Sequence, residues 1–331
     1  VLAAYVERLG PPGEIRYGEL TAPPRPRAGE VLVDVAATTV NPVDTFVRSG
    51  RYPTRLSFPF VIGRDLVGTV AETGAGVRGF TPGDAVWCNS LGHDGRQGAA
   101  AEQASVEARR LYRLPARVPP LAAVAVVHPA ATAWLALFRH GRLGPGETVF
   151  VAGAAGNVGS ALVVLAAEAG ARVIGTAAKH DLEHCRELGA AEALDYADDR
   201  LTERIASLCP RGIDVHVDTS GRNDLGTAVE LLAPRGRIVL LAGARTRPVL
   251  PAGPLYMKDA SVRGFVISRA TTAELAEAAV TVNRLLATGR LRARDIETLP
   301  LHAAAKAHQR MEGGELHGRR LILDVAGATA P

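Results

Sequence analysis

The sequence predicts an α/β protein in two parts, a β-rich barrel-like part and a doubly wound parallel sheet. Three observations carry this. The first third is dense in glycine, proline and short β-branched runs. From Pro119-Pro120 onward, helical stretches alternate with continuous apolar strands, the mark of a parallel sheet covered on both faces. A glycine-rich turn joins one of these strands to its helix, as nucleotide-binding sheets require.

In chain order, Val31-Leu-Val-Asp-Val-Ala alternates like a half-buried strand after the turn Arg27-Ala-Gly-Glu. Leu66-Val-Gly-Thr-Val-Ala is a second strand, and Asp84-Ala-Val-Trp a third after Pro82-Gly83. Short strands with frequent turns predict a compact barrel. Helices are predicted from about Leu121 and from Pro129 to Gly141, the proline suiting a first helical turn. The strand Thr148–Ala152, a helix from Asn157 to Glu168 and the strand Arg172–Thr176 follow. Later strands are Ile213–Asp218 and Arg237–Ala242. Beyond about Gly264 come an amphipathic helix from Thr272 to about Ala287, a short helix near Ala303–Met311 and a last strand, Arg320–Asp324. A lone terminal strand must pair with something, and the β-rich first third is the expected host. That makes the first domain discontinuous, residues 1–122 with 265–331, around a second domain at 123–264.

Composition narrows the function. With 47% hydrophobic and 22% charged residues, the chain can build a sizeable core. The net charge of +4 comes from 38 cations interspersed with 34 acids, only three of them lysines: Lys179, Lys258 and Lys306. No basic block is interleaved with aromatics, so no nucleic-acid partner is expected. No apolar run approaches a membrane span, so no membrane partner is expected either. Cys88, Cys185 and Cys209 are scattered and odd in number, which fits a reducing, cytoplasmic setting. Cys88, His93 and Asp94 match no usual zinc spacing, and no metal is predicted.

The turn Gly153-Ala154-Ala155-Gly156-Asn157-Val158-Gly159 is a variant dinucleotide fingerprint, with Ala154 at the first glycine position. Gly156 lets backbone approach a pyrophosphate, Gly159 lets the helix pack on the strand, and the helix N-terminus offers N–H groups to phosphate. The plain alternative is a tight turn that binds nothing. The next strand ends in Thr176-Ala-Ala-Lys179-His180, where NAD enzymes usually place a carboxylate. With no acid to repel a 2′-phosphate and a lysine to pair it, the predicted cofactor is NADPH. Lys179 also reads as an ordinary solvated loop lysine.

Thr39-Val-Asn41-Pro-Val-Asp44-Thr-Phe-Val-Arg48-Ser-Gly50, Pro59-Phe-Val-Ile-Gly-Arg-Asp65-Leu-Val-Gly68, His128-Pro-Ala-Ala-Thr132-Ala and the turn just described stand in order along the chain. Together they resemble the zeta-crystallin-like quinone oxidoreductases of the medium-chain dehydrogenase/reductase superfamily. The resemblance implies a GroES-like catalytic domain and a Rossmann domain, with NADPH between them and a homodimer paired near residues 250–265. The superfamily's zinc enzymes carry Cys where Asn41 stands and His-Glu where Arg64-Asp65 stand, so a zinc-free enzyme is expected. The resemblance also places Asn41 and Tyr52 at the substrate and nicotinamide, with Asn41 otherwise a turn residue before Pro42. It assigns Thr132, Tyr196, Gly243, Ala244, Phe265, Val266 and Ile267 to the cofactor. Arg320 is assigned to a phosphate, though Arg319 and Arg320 could equally be surface charges. Phe46 stands where the family has a tyrosine.

The expected reaction is hydride transfer from NADPH to a quinone or similar electron-poor carbonyl. Reduction of an enone or enoyl C=C bond is the near alternative, and an NADPH-binding protein with little catalysis the distant one.

Overall fold

A computed structural model describes residues 1–327. The chain divides into two compact units, Val1–His128 with Leu275 onward, and Pro129–Glu274. These boundaries fall six and ten residues later than the sequence placed them. The strand Ser261–Gly264 pairs in the second unit's sheet, and Phe265, placed in the first domain, continues it by donating its N–H to Leu240 O at 3.1 Å. Residues 328–331, assigned to the first domain, lie outside the described residues.

The first unit holds a seven-stranded sheet. Its main path runs Ile296–Pro300, Arg320–Asp324, Glu30–Thr39, Leu66–Thr73, Ala85–Cys88 and Tyr112–Arg113, with Gln103–Glu107 also on Glu30–Thr39. The terminal strand does find its host in the first third. Ile322, Leu323 and Asp324 pair antiparallel with Thr39, Thr38 and Ala37, so its backbone groups are satisfied rather than left at an edge. Its other side is covered by Ile296–Pro300, a strand with no clear apolar alternation, which the sequence did not reveal. Leu2–Val6, Arg16–Glu19 and Phe60–Val61 make a small separate sheet. The apolar faces pack as two clusters, one around Val31, Val33, Leu66 and Val86, the other around Val6, Val40, Phe60 and Leu321.

The second unit is a six-stranded, all-parallel sheet in the order Glu192–Asp195, Arg172–Ala177, Thr148–Ala152, Ile213–Asp218, Leu232–Leu240, Ser261–Gly264. The order reverses beside Thr148–Ala152, the topological switch point where open α/β sheets bind ligands. Continuous burial along Thr148–Ala152 and Arg172–Ala177 explains why these segments read as unbroken apolar runs.

The helical stretch Pro120–His140 is longer than either piece predicted, and it ends in a π-helical segment, Leu135–His140. By length and composition it could cross a bilayer, against the reading from apolar runs. However, 78% of its most apolar stretch is buried inside the protein, as in a core helix. Pro129 falls within the first turn of Val127–Trp134, where its missing N–H costs nothing.

Candidate active site

In the second unit, the strand Thr148–Ala152 runs into the turn and the helix Asn157–Glu168 begins five residues later. Gly153 adopts φ +80°, and the amides of Gly153 and Ala154 donate to Thr176 O at 3.1 and 2.8 Å. Ala154 is fully buried, and a Cβ on Gly175 would lie 2.7 Å from its methyl group. Ala154 therefore ties the turn to the neighbouring strand, and its amide is already spent. A Cβ on Gly159 would stand 2.0 Å from Gly153 O, so only glycine fits there. Gly156 is the N-cap, with extended backbone and no side-chain cap. The first helical N–H groups, from Asn157, Val158 and Gly159, thus have no intrahelical or side-chain acceptor. A Cβ on Gly156 would meet only Gly153 O, at 3.4 Å. This is an open cradle of donors at the positive end of a 12-residue helix, and it fits a pyrophosphate.

Apart from Thr132, the other predicted cofactor residues of this unit lie at or just past the carboxyl ends of strands of the sheet. Thr176 is buried at the end of Arg172–Ala177. Lys179 is exposed just beyond it and lines a surface cavity of about 370 Å³ with Leu182, Arg186, Asp195 and Arg204. Arg204 is held by Asp198 at 2.6 Å and Arg186 by Glu183 at 3.1 Å, whereas Lys179 has no partner of that kind among the described residues. Tyr196 is 49% exposed, with the Arg222 guanidinium 5.5 Å from its ring centroid. Gly243 adopts φ +77° after Leu232–Leu240, and a Cβ there would collide with Gly221 O at 2.5 Å. Ala244 is exposed. Phe265 stacks on His140 at 4.4 Å, Val266 is half-buried and Ile267 is buried. Thr132 is buried in the helix Val127–Trp134.

Sequence reading missed the brace behind this edge. The Asp218 carboxylate accepts the amides of Ser220, Gly221 and Asn223 at 2.7, 3.1 and 2.7 Å. Asn223 Nδ2 then donates to Ala242 O at 3.0 Å and Thr246 Oγ1 at 2.8 Å. An acid at a strand end followed by Thr-Ser-Gly was the available signal.

The first unit holds a buried charged network. Thr39 Oγ1 donates to Asp65 Oδ2 at 2.8 Å. Asn41 Nδ2 donates to Asp65 Oδ1 at 3.1 Å and to Asp44 Oδ2 at 3.2 Å, and Asn41 Oδ1 accepts from Arg320 Nη2 at 3.1 Å. Asn41 also caps the helix Pro42–Ser49 in a capping box with Asp44. Its amide is therefore committed on both sides, which makes it a positioning residue and not one with a free group for substrate. Arg320 is corrected in the same way. Its guanidinium is 2% exposed, bonded to Thr39 and Asn41 and 3.9 Å from Asp65, because Arg320–Asp324 is an inner strand of the sheet. It faces protein partners in place of a phosphate. Tyr52 is half-buried, with its amide on Phe46 O at 3.0 Å.

Burial pushes the Asp44 carboxyl up to about 7, with Arg64 opposing. Burial raises Asp65 as well, with Arg320 opposing. Burial, then Arg64 and Arg320, holds His128 well below the ordinary histidine value. In the loop after Cys88, Arg96 Nη2 lies 2.8 Å from His93 Nε2, which must accept, so Nδ1–H points to Leu91 O at 2.9 Å. Burial raises the Cys88 thiol, and the Asp94 side chain is 68% exposed. Among the described residues no three His, Cys, Asp or Glu side chains converge.

Two family models match the chain: the alcohol dehydrogenase GroES-like domain over residues 27–116 and the zinc-binding dehydrogenase domain over 157–282. Quinone oxidoreductase from Lama guanicoe is 29% identical over 309 residues, 93% of this chain and 92% of that protein. The chain belongs to the medium-chain dehydrogenase/reductase superfamily. Among solved members, Escherichia coli quinone oxidoreductase complexed with NADPH superposes with TM-score 0.83 at 26% identity, over 97% of this chain and all of the other. An NAD-dependent alcohol dehydrogenase superposes at 0.88 with 28% identity, over 98% and 100%. This medium-chain dehydrogenase/reductase is an oxidoreductase that uses a nicotinamide cofactor and acts on a small molecule.

Proposed function

We propose that the protein is a zinc-free NADPH-dependent reductase of quinones or similar electron-poor carbonyl acceptors. The observation that carries the cofactor preference is the end of the strand Arg172–Ala177. No carboxylate follows Thr176 before Lys179, and the exposed Lys179 ammonium is available for a 2′-phosphate. The pyrophosphate belongs on the amides of Gly156–Gly159, and the nicotinamide, when bound, supplies the hydride. The zinc-free reading is supported by the network of Asn41, Arg64 and Asp65. An amide and a guanidinium are not zinc ligands, and Asp65 is already held by Thr39, Asn41 and Arg320.

The test is cofactor oxidation with NADPH and NADH in parallel, against a quinone and an enone. NADPH-preferring quinone turnover that survives chelator treatment is expected. Lys179→Ala should weaken NADPH roughly 10- to 100-fold and leave NADH unchanged, as loss of one charge-assisted contact predicts. Turnover that depends on zinc, or an unchanged NADPH affinity in the variant, would overturn the reading.

A homodimer belongs to the same proposal. Ser261–Gly264 is the outermost strand of the second unit's sheet, and Val249, Tyr256 and Met257 are 86%, 72% and 75% exposed in the segment before it. A second copy adding its own edge strand would satisfy the open backbone groups and cover these side chains.

A further inference from the structure

The Arg64 side chain is 1% exposed, and its Nε and Nη2 make no hydrogen bond with any described residue. Asp44 Oδ1 stands 3.7 Å from Nε, near enough to balance charge and too far to accept the proton. Asp44 is held back because its Oδ2 accepts from Asn41 N at 2.8 Å and from Asn41 Nδ2 at 3.2 Å, across the start of the helix Pro42–Ser49. Buried donors without acceptors are rare in native proteins, and charged ones are the most costly to leave so. Nε–H and one N–H of Nη2 point the same way along one edge of a guanidinium, a fork that matches an anionic oxygen group. The carboxylates of Asp44 and Asp65 act most strongly on the Arg64 charge, the half-buried Tyr52 is close enough to act on it as well, and Arg96 opposes them. Arg320 lies in the same network through Asn41, so two guanidinium groups stand against two carboxylates there.

We infer that Arg64 is a catalytic residue that receives the acceptor's carbonyl oxygen and stabilises the negative charge that reduction places on it. The inference rests on the reading above that the acceptor is a conjugated carbonyl. Quinones and enones share an O=C–C=C unit. When hydride adds to its terminal carbon, the C=C electron pair moves toward the carbonyl carbon and the C=O pair comes to rest on oxygen. The acceptor gains two electrons and the nicotinamide loses two. The oxyanion lies on the Arg64 fork until water protonates the enolate. A fixed, desolvated cation aimed at the oxygen stabilises this charge more than it stabilises the neutral carbonyl, which is the condition for catalysis.

The test uses the NADP⁺-loaded protein and 4-nitrophenol, whose phenolate is seen by its absorbance. Below the probe's own pKa, the wild-type protein should bind it ionised. Arg64→Met should lose the ionised signal, and the double variant Asp44→Asn/Arg64→Met should lose it while folding normally, since it leaves no unpaired buried charge. Asp44→Asn alone should keep it. With quinone or enone, Arg64→Met should lower kcat roughly 100- to 1000-fold with NADPH affinity unchanged, and Arg64→Lys should recover part of the loss. A folded double variant that binds phenolate as wild type does, or unchanged kcat in Arg64→Met, would overturn the inference and leave Arg64 as the ion-pair partner of Asp44. Arg64-dependent phenolate binding in a protein that reduces neither acceptor would support the oxyanion site and remove only the acceptor class.

Discussion

His308 and His216 are buried imidazoles with neutral-state chemistry built in. His308 is 1% exposed, and burial, reinforced by Arg48, pulls it down to about 3. Burial pulls His216 down to about 4. An unfolded chain protonates its histidines near 6.5. Between that value and the folded one, the unfolded state binds more protons, so stability is lost as pH falls from about 6.5 toward 3 to 4. The slope should approach about 1.4 kcal/mol per pH unit for each histidine. Denaturant titrations across this range should show a shallower acid slope for His308→Leu in the first unit and for His216→Leu in the second. An unchanged slope would mean that these imidazoles charge while folded. At this scale the sequence was a partial guide. Residue types at Asn41, Arg64 and Asp65 already argued against a thiolate–imidazole metal site. That Asn41 bonds Arg320, 279 positions away, was not legible, because motif reading looks along the chain and this bond crosses a sheet. Hence Asn41 and Arg320 were expected at ligands and turn out to hold each other.

Lys258 shows how an element is finished by a residue outside it. Its ammonium donates to the carbonyls of Val229, Glu230 and Leu232 at 2.9, 2.6 and 2.8 Å, filling all three donors at the end of the helix Leu225–Leu231. A cation there also suits the negative end of the helix. Lys258→Met should cost about 2 kcal/mol of stability, read from denaturant midpoints, with the folded variant keeping its NADPH affinity. Elements with a strong period were legible. The helix Thr272–Ala287 and the strands Ile213–Asp218 and Arg320–Asp324 fall where apolar spacing put them. The turn at Gly153–Gly159 was legible because steric necessity selects glycine, as the 2.0 Å approach at Gly159 shows. Ile296–Pro300 was not, since a short strand ending in proline has neither period nor propensity to mark it.

For the whole molecule, the discontinuous first unit follows from one rule, that a terminal strand cannot leave its backbone unpaired, and Arg320–Asp324 obeys it against Glu30–Thr39. The unit boundaries depend on pairing in space and were therefore placed several residues early. The proposed dimer makes its own prediction. Tyr256→Glu puts a charge into the exposed apolar segment and should shift the mass from dimer to monomer in chromatography with light scattering. A wild-type monomer, or a variant that stays dimeric, would exclude this face. The scarcity of lysine also has a practical side. Of three side-chain amines, that of Lys258 is sequestered by carbonyls, leaving Lys179 and the exposed Lys306. At alkaline pH, amine-reactive dyes, crosslinkers and activated resins would therefore find only two open side chains, one of them the proposed phosphate contact. Tethering this protein by its lysines should blind it to NADPH, whereas carboxylate-directed coupling should leave it working.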